Sequence, residues 1–67
     1  MNLIINGDTR VSSAETVSAL VELLGMKPDR VAIELNREIV PRDRWLETRL
    51  QEGDRLEIVH FVGGGVL

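Results

Sequence analysis

Apolar and polar residues alternate along this chain in short blocks whose period changes. Leu3-Ile4-Ile5 is a β-branched run that stops at Asn6-Gly7-Asp8. Asn-Gly supplies the positive φ angles of a tight hairpin, so Thr9-Arg10-Val11 is expected to return as a second strand. The period then lengthens. Val17, Leu20, Val21 and Leu24 fall at i, i+3, i+4 and i+7, the stripe of a helix over 16–24, with Ser18 and Glu22 on the opposite face. Thr16 suits the N-cap and Gly25 the position after the helix, and Pro28 stands where a helix cannot continue.

Period-2 alternation resumes with Val31, Ile33 and Leu35 against Ala32, Glu34 and Asn36. The chain is expected to turn at Asn36-Arg37-Glu38, to form a short strand at Ile39-Val40, and to close it at Pro41. Residues 42–50 read as irregular, with one helical turn at 43–46. Gly53-Asp54 marks a turn into a last strand over 55–62, with Leu56 and Ile58 inward and Val59 and Phe61 outward. The order is β-β-α-β-β-β, an α+β domain in which one helix covers a mixed sheet of four to five strands. The domain is expected over 1–62, followed by a flexible tail over 63–67 that begins Gly63-Gly64-Gly65, because successive glycines hold neither helix nor strand against their backbone entropy.

Composition narrows what such a domain can do. With 67 residues it has one small core and little room for an enclosed active site. Trp45 and Phe61 are its only aromatic residues. Trp45 reads as a lid over the open edge of the core, with a partner anchor as the other reading. Eight Lys and Arg against eleven Asp and Glu give a net charge of −3, which argues against nucleic acid as a partner. Without cysteine there are no disulfides, thiolate metal sites or thiol nucleophiles. No apolar run reaches membrane-spanning length and the first residues lack a signal-peptide pattern, so a cytoplasmic protein without a membrane partner is expected.

The side chains offer no catalytic constellation. His60 is the single histidine and reads as a packed or rim residue of the last strand, since no nucleophile accompanies it. Carboxylates such as Asp8, Asp29, Glu47 and Glu57 are scattered over turns and outward positions, so no metal site is expected. Arg37, Arg42 and Arg44 read as solvated loop residues more readily than as a basic patch. The glycine run is the remaining candidate. It follows the last strand without a spacer, and residues lacking Cβ let a backbone thread a narrow cleft and leave a terminal carboxylate open to attack. A frayed terminus is the competing reading. A carboxylate is inert as an acyl donor until a nucleotide-using partner activates it.

Taken in order, several elements resemble the sulfur-carrier family of thiamin biosynthesis, whose fold is the ubiquitin-like β-grasp. They are Asn6-Gly7, Thr16-Val17 with Leu23-Leu24, the stretch Val31-Ala32-Ile33-Glu34-Leu35-Asn36, Ile39-Val40-Pro41-Arg42 with Trp45, and Glu52-Gly53-Asp54 leading through Glu57-Ile58-Val59 to Gly63-Gly64-Gly65. The resemblance spans essentially the whole chain. It implies a carrier, not an enzyme, activated by an adenylyltransferase similar to ubiquitin-activating enzymes. That partner would use ATP and magnesium to adenylate the last glycine, Gly65, with Gly63 and Gly64 threading its channel. A sulfur-transfer protein would supply a persulfide, the product would be a thiocarboxylate, and thiazole synthase would accept the sulfur. The absence of cysteine agrees, because sulfur could then ride only on a carboxyl group.

Two departures follow. Asn36-Arg37 stands where Asn-Gly is common, so the second turn is expected to be wider. Val66 and Leu67 follow the last glycine, so either a peptidase removes them or they are an addition to the natural chain. Val59 and Phe61, apolar and outward just before the tail, are expected to dock the activating partner. Other readings are a ubiquitin-like modifier, the small subunit of a molybdopterin synthase, and a β-grasp interaction module without tail chemistry.

Overall fold

The computed structural model describes residues 1–61. Its elements are strands β1 (Asn2–Ile5) and β2 (Asp8–Val11), helix α1 (Val17–Leu23), and strands β3 (Val31–Leu35), β4 (Glu38–Ile39) and β5 (Arg55–His60). Short 3₁₀ turns occupy Pro28–Arg30 and Arg42–Arg44. The strands form one sheet in the order β2-β1-β5-β3-β4, with β1 and β5 parallel and the other pairs antiparallel. This is the expected mixed sheet with a single helix, and β5 is its middle strand.

Local chemistry sets these boundaries. The Thr16 hydroxyl accepts a hydrogen bond from the Ala19 amide at 3.1 Å and caps the first turn of α1. At the other end Gly25, at φ +72°, takes a left-handed conformation. Its amide then reaches Glu22 O at 3.0 Å, and the Met26 amide reaches Val21 O at 3.2 Å. That pair of bonds closes the helix with a Schellman motif. Val17, Leu20 and Val21 face inward and meet Leu3, Ile5, Val31, Ile33, Leu56 and Ile58 from the sheet, so one face of each element builds a single core.

The second hairpin is tighter than expected. Leu35 pairs with Glu38, so only Asn36 and Arg37 form the turn, just as Asn6 and Gly7 connect the paired Ile5 and Asp8. Asn36 at φ +50° and Arg37 at φ +75° both adopt the left-handed conformation such a turn demands, although Arg37 carries a Cβ. Register dictates the turn here, and the side chain yields to it. β4 is consequently Glu38–Ile39, one residue earlier than the sequence pattern suggests, and Val40 continues the pairing only through its amide, bonded to Ile33 O at 2.9 Å. Trp45 is a lid. It is 4% exposed, and its indole Nε1 donates to Val40 O at 2.9 Å, tying the 3₁₀ turn at Arg42–Arg44 onto the core.

Candidate functional site

The middle strand presents two different faces. Leu56 and Ile58 are buried against the helix, whereas Val59 and Phe61 point away from it and are 57% and 50% exposed. Both lie where the sequence predicted. Ala32 stands directly opposite Val59, and the Phe61 amide donates to Arg30 O at 2.7 Å, so β3 and the residue before it hold this part of the chain in register. Phe61 also lines a hollow of about 240 Å³ together with Ala32, Ile39, Pro41 and Trp45. Ile39, 66% exposed, sits opposite Glu34 and so shares the outer face. Val59, Phe61 and Ile39 therefore leave large apolar groups on a face that folding does not cover. Contiguous exposed apolar patches rimmed by polar residues are one form that an interaction site takes.

The polar surroundings carry both signs, with Arg42 lining the hollow beside Phe61. Glu34 and Glu57 are directly opposite each other on the outer face, next to the Ala32 and Val59 pair. Like charges so placed weaken a sheet. His60 is exposed, opposite Val31 in the register. Among the described residues no three His, Cys, Asp or Glu side chains cluster closely enough to hold a metal ion. Arg37, Arg42 and Arg44 are all exposed; Arg44 pairs with Glu47 at 2.7 Å and Arg42 stands 5.9 Å from the centre of the Trp45 ring. These are solvated loop positions. The expected reactive residue Gly65 and the expected threading residues Gly63 and Gly64, with Val62, Val66 and Leu67, lie outside the described residues.

Ile39 and Ala32 were not recognised in the sequence as neighbours of Phe61. The signal was the turn length. A two-residue turn at 36–37 forces Ile39 opposite Glu34 and onto the outer face, whereas a wider turn leaves its direction open.

The candidate site is thus an exposed apolar face at the end of the strand that precedes the glycine run in sequence. The sequence model of the ThiS family matches residues 3–65, nearly the whole chain. The chain belongs to the ThiS family. The sulfur carrier protein ThiS of Escherichia coli is 29% identical over 66 residues, which cover 97% of this chain and 100% of that protein. The crystal structure of a thiamine biosynthesis protein (ThiS) from Geobacter metallireducens superposes with a TM-score of 0.79 at 36% identity, covering 97% of this chain and 100% of that one. With that ThiS neighbour the mixed sheet and single helix are established as the ubiquitin-like β-grasp. A thiazole synthase from Paramagnetospirillum magneticum contains a stretch 48% identical over 66 residues; this chain spans 97% of its own length in that match but only 20% of that protein. No helix of the described residues is long and apolar enough to cross a membrane.

Proposed function

We propose that this chain is a sulfur carrier of thiamin biosynthesis whose carboxyl group at Gly65 becomes a thiocarboxylate. The observation that carries the reading is the ThiS match, which runs to residue 65, the last of the three consecutive glycines. With Val66 and Leu67 attached, the Gly65 carbonyl is an amide and has no carboxylate to activate. Removal of the two residues by a peptidase frees it. A separate adenylyltransferase, which brings ATP and magnesium, then joins the carboxylate to AMP and releases pyrophosphate. The terminal sulfur of a persulfide on a sulfur-transfer protein displaces AMP, and a thiol cleaves the resulting S–S bond to leave the thiocarboxylate.

Thiazole synthase is the acceptor in this scheme, supported by the thiazole synthase from P. magneticum that contains a similar stretch. The carrier itself has no cysteine on which to hold sulfur. Val59 and Phe61 supply the surface that docks the adenylyltransferase, and Gly63 and Gly64 supply a backbone slim enough to enter its channel.

Adenylation of a Gly64→Val chain ending at Gly65 tests the threading step. Valine adds a β-branched side chain next to the reacting residue and narrows its φ/ψ range. Misplacement of a reacting group by about 1 Å lowers a rate roughly a hundredfold, so ATP–pyrophosphate exchange should fall by that order. Exchange equal to that of the unsubstituted chain would refute a tail read by a tight channel.

A further inference from the structure

Strand β1 pairs with β5 through Ile4 and Ile5 only, opposite Arg55 and Leu56. Beyond that point, among the described residues, β3 alone runs alongside β5 as a strand. The β1 side is nevertheless not left bare. Along it the carbonyls of β5 and of the residue before it are taken up at every second residue: Asp54 O accepts from the Ile4 amide at 2.9 Å and Leu56 O from the Asn6 amide at 2.9 Å. The next residue in this series is Ile58, but there the backbone of β1 has already turned away, with Asn6 at φ +49° and Gly7 at φ +87°. The side chain of Asn6 takes over. Its Oδ1 accepts the Ile58 amide at 2.7 Å and its Nδ2 donates to Ile58 O at 3.2 Å.

A primary amide carries one acceptor and one donor side by side, as a peptide group does, so Asn6 extends the ladder by one step without a strand. The turn itself does not require this. Glycine or aspartate satisfies a positive φ at the first position of such a turn equally well, yet neither can both accept from and donate to Ile58. Asn36, at the corresponding place in the other hairpin, accepts the Arg55 amide on its Oδ1 at 3.0 Å and donates its own amide to Arg55 O at 2.7 Å. Two turn asparagines thus grip β5, one at its beginning and one near its end. The Asn6 grip falls on the residue just before Val59, five positions before Gly63.

We propose that Asn6 is a positioning residue for the carrier reaction: its side-chain amide clamps Ile58 and so fixes the course of the chain through Val59 to Phe61, after which the sequence continues to the glycine run that ends at Gly65. The catalytic half of this statement rests on the carrier reading above. The clamp acts on the direction in which the strand leaves the sheet, while Val59 remains registered against β3 and the Phe61 amide remains bonded to Arg30 O on the other side. Loss of the clamp therefore affects turnover more than docking.

Two variants of the chain ending at Gly65 separate this role from the turn. Asn6→Gly keeps a residue suited to positive φ and removes the amide. Asn6→Asp keeps an acceptor for the Ile58 amide but sets a carboxylate oxygen against the Ile58 carbonyl. Amide hydrogen exchange followed by NMR needs no partner enzyme and should show the Ile58 amide of Asn6→Gly exchanging roughly tenfold or more faster, while Leu24 in the helix cap changes by less than about twofold. In adenylation assays well below the melting temperature, kcat of both variants should fall by roughly tenfold with KM within about twofold of the parent. Parental kcat in both variants, or a loss that follows only their unfolded fraction, overturns the positioning role. Unchanged exchange at Ile58 overturns the clamp regardless of the kinetics. A parent chain that is not adenylated at all refutes the carrier reading and the catalytic role with it, and the exchange data then still report the clamp alone.

Discussion

Arg37 and Asn36 adopt left-handed backbone because Leu35 and Glu38 are paired and leave room for only two residues between them. For a residue with a Cβ this conformation costs about 1–2 kcal/mol relative to right-handed backbone. Arg37→Gly removes that strain, offset partly by the greater freedom of glycine in the unfolded chain, and should stabilise the protein by about 1 kcal/mol in urea denaturation. A lower denaturation midpoint would show that Arg37 contributes something its exposed position does not reveal. Trp45 provides the opposite case. Trp45→Phe preserves much of the packing but takes the indole donor from the Val40 carbonyl, which should cost about 1–2 kcal/mol. At this scale the residues legible in the sequence are those whose role is local. Thr16 caps its own helix and Gly25 ends it, and both are visible as residue types in place. The Asn6 clamp joins positions 52 apart. Its sequence signal is fully absorbed by the turn, so nothing remains to point to Ile58.

Among the elements, the inner face of the sheet follows directly from alternation: Leu3 and Ile5, Val31 and Ile33, Leu56 and Ile58 are buried as their period requires. β4 was harder to read because Val40 faces the core, as a strand residue would, yet its carbonyl is occupied by Trp45 rather than by a strand neighbour. The outer face contains a tension the sequence does not display. Glu34 and Glu57 belong to strands far apart in the chain and become direct neighbours only through the β3–β5 register. Glu57→Gln should therefore stabilise the sheet by a few tenths of a kcal/mol, a gain that shrinks as salt screens the repulsion; no gain at low salt would show that the two carboxylates avoid each other.

The turn before β5 has its own pH dependence. Glu52 accepts the Asn2 amide on Oε1 at 2.9 Å and Asn2 Nδ2 on Oε2 at 2.8 Å, and these two bonds hold its pKa below the ordinary carboxylate value. A carboxyl more acidic in the folded than in the unfolded chain adds stability that is complete above its unfolded pKa and disappears as pH falls through the lowered folded value. Melting temperature followed through the acidic range should show that loss, and Glu52→Gln should flatten this part of the profile. An identical profile in the variant would remove Glu52 from the account.

At the scale of the molecule, the described residues form one sheet with one helix packed on it, and the proposed chemistry is assigned to the glycines that follow them in sequence. The fold class was legible because hairpin, helix and final strand each announce themselves locally and only one simple arrangement packs a single helix on a mixed sheet. The exposed apolar face was legible because residues 59 and 61 have the opposite parity to buried Leu56 and Ile58. Its breadth was not, since Ile39 joins it through a turn length that residue types misjudge. Phe61 is half-exposed, so Phe61→Ala should leave the melting temperature nearly unchanged while weakening binding to the adenylyltransferase by at least ~1 kcal/mol. Unchanged affinity in the folded variant would move docking elsewhere.

The central claim, that Gly65 carries the sulfur on its own carboxyl, is tested most directly by intact mass. Two chains, one ending at Gly65 and one at Leu67, are each incubated with the adenylyltransferase, ATP, magnesium and a persulfide donor, without peptidase. The account predicts that the chain ending at Gly65 exchanges one oxygen for sulfur and that the chain ending at Leu67 keeps its mass. Sulfur on the untrimmed chain, or none on the trimmed one, would contradict it.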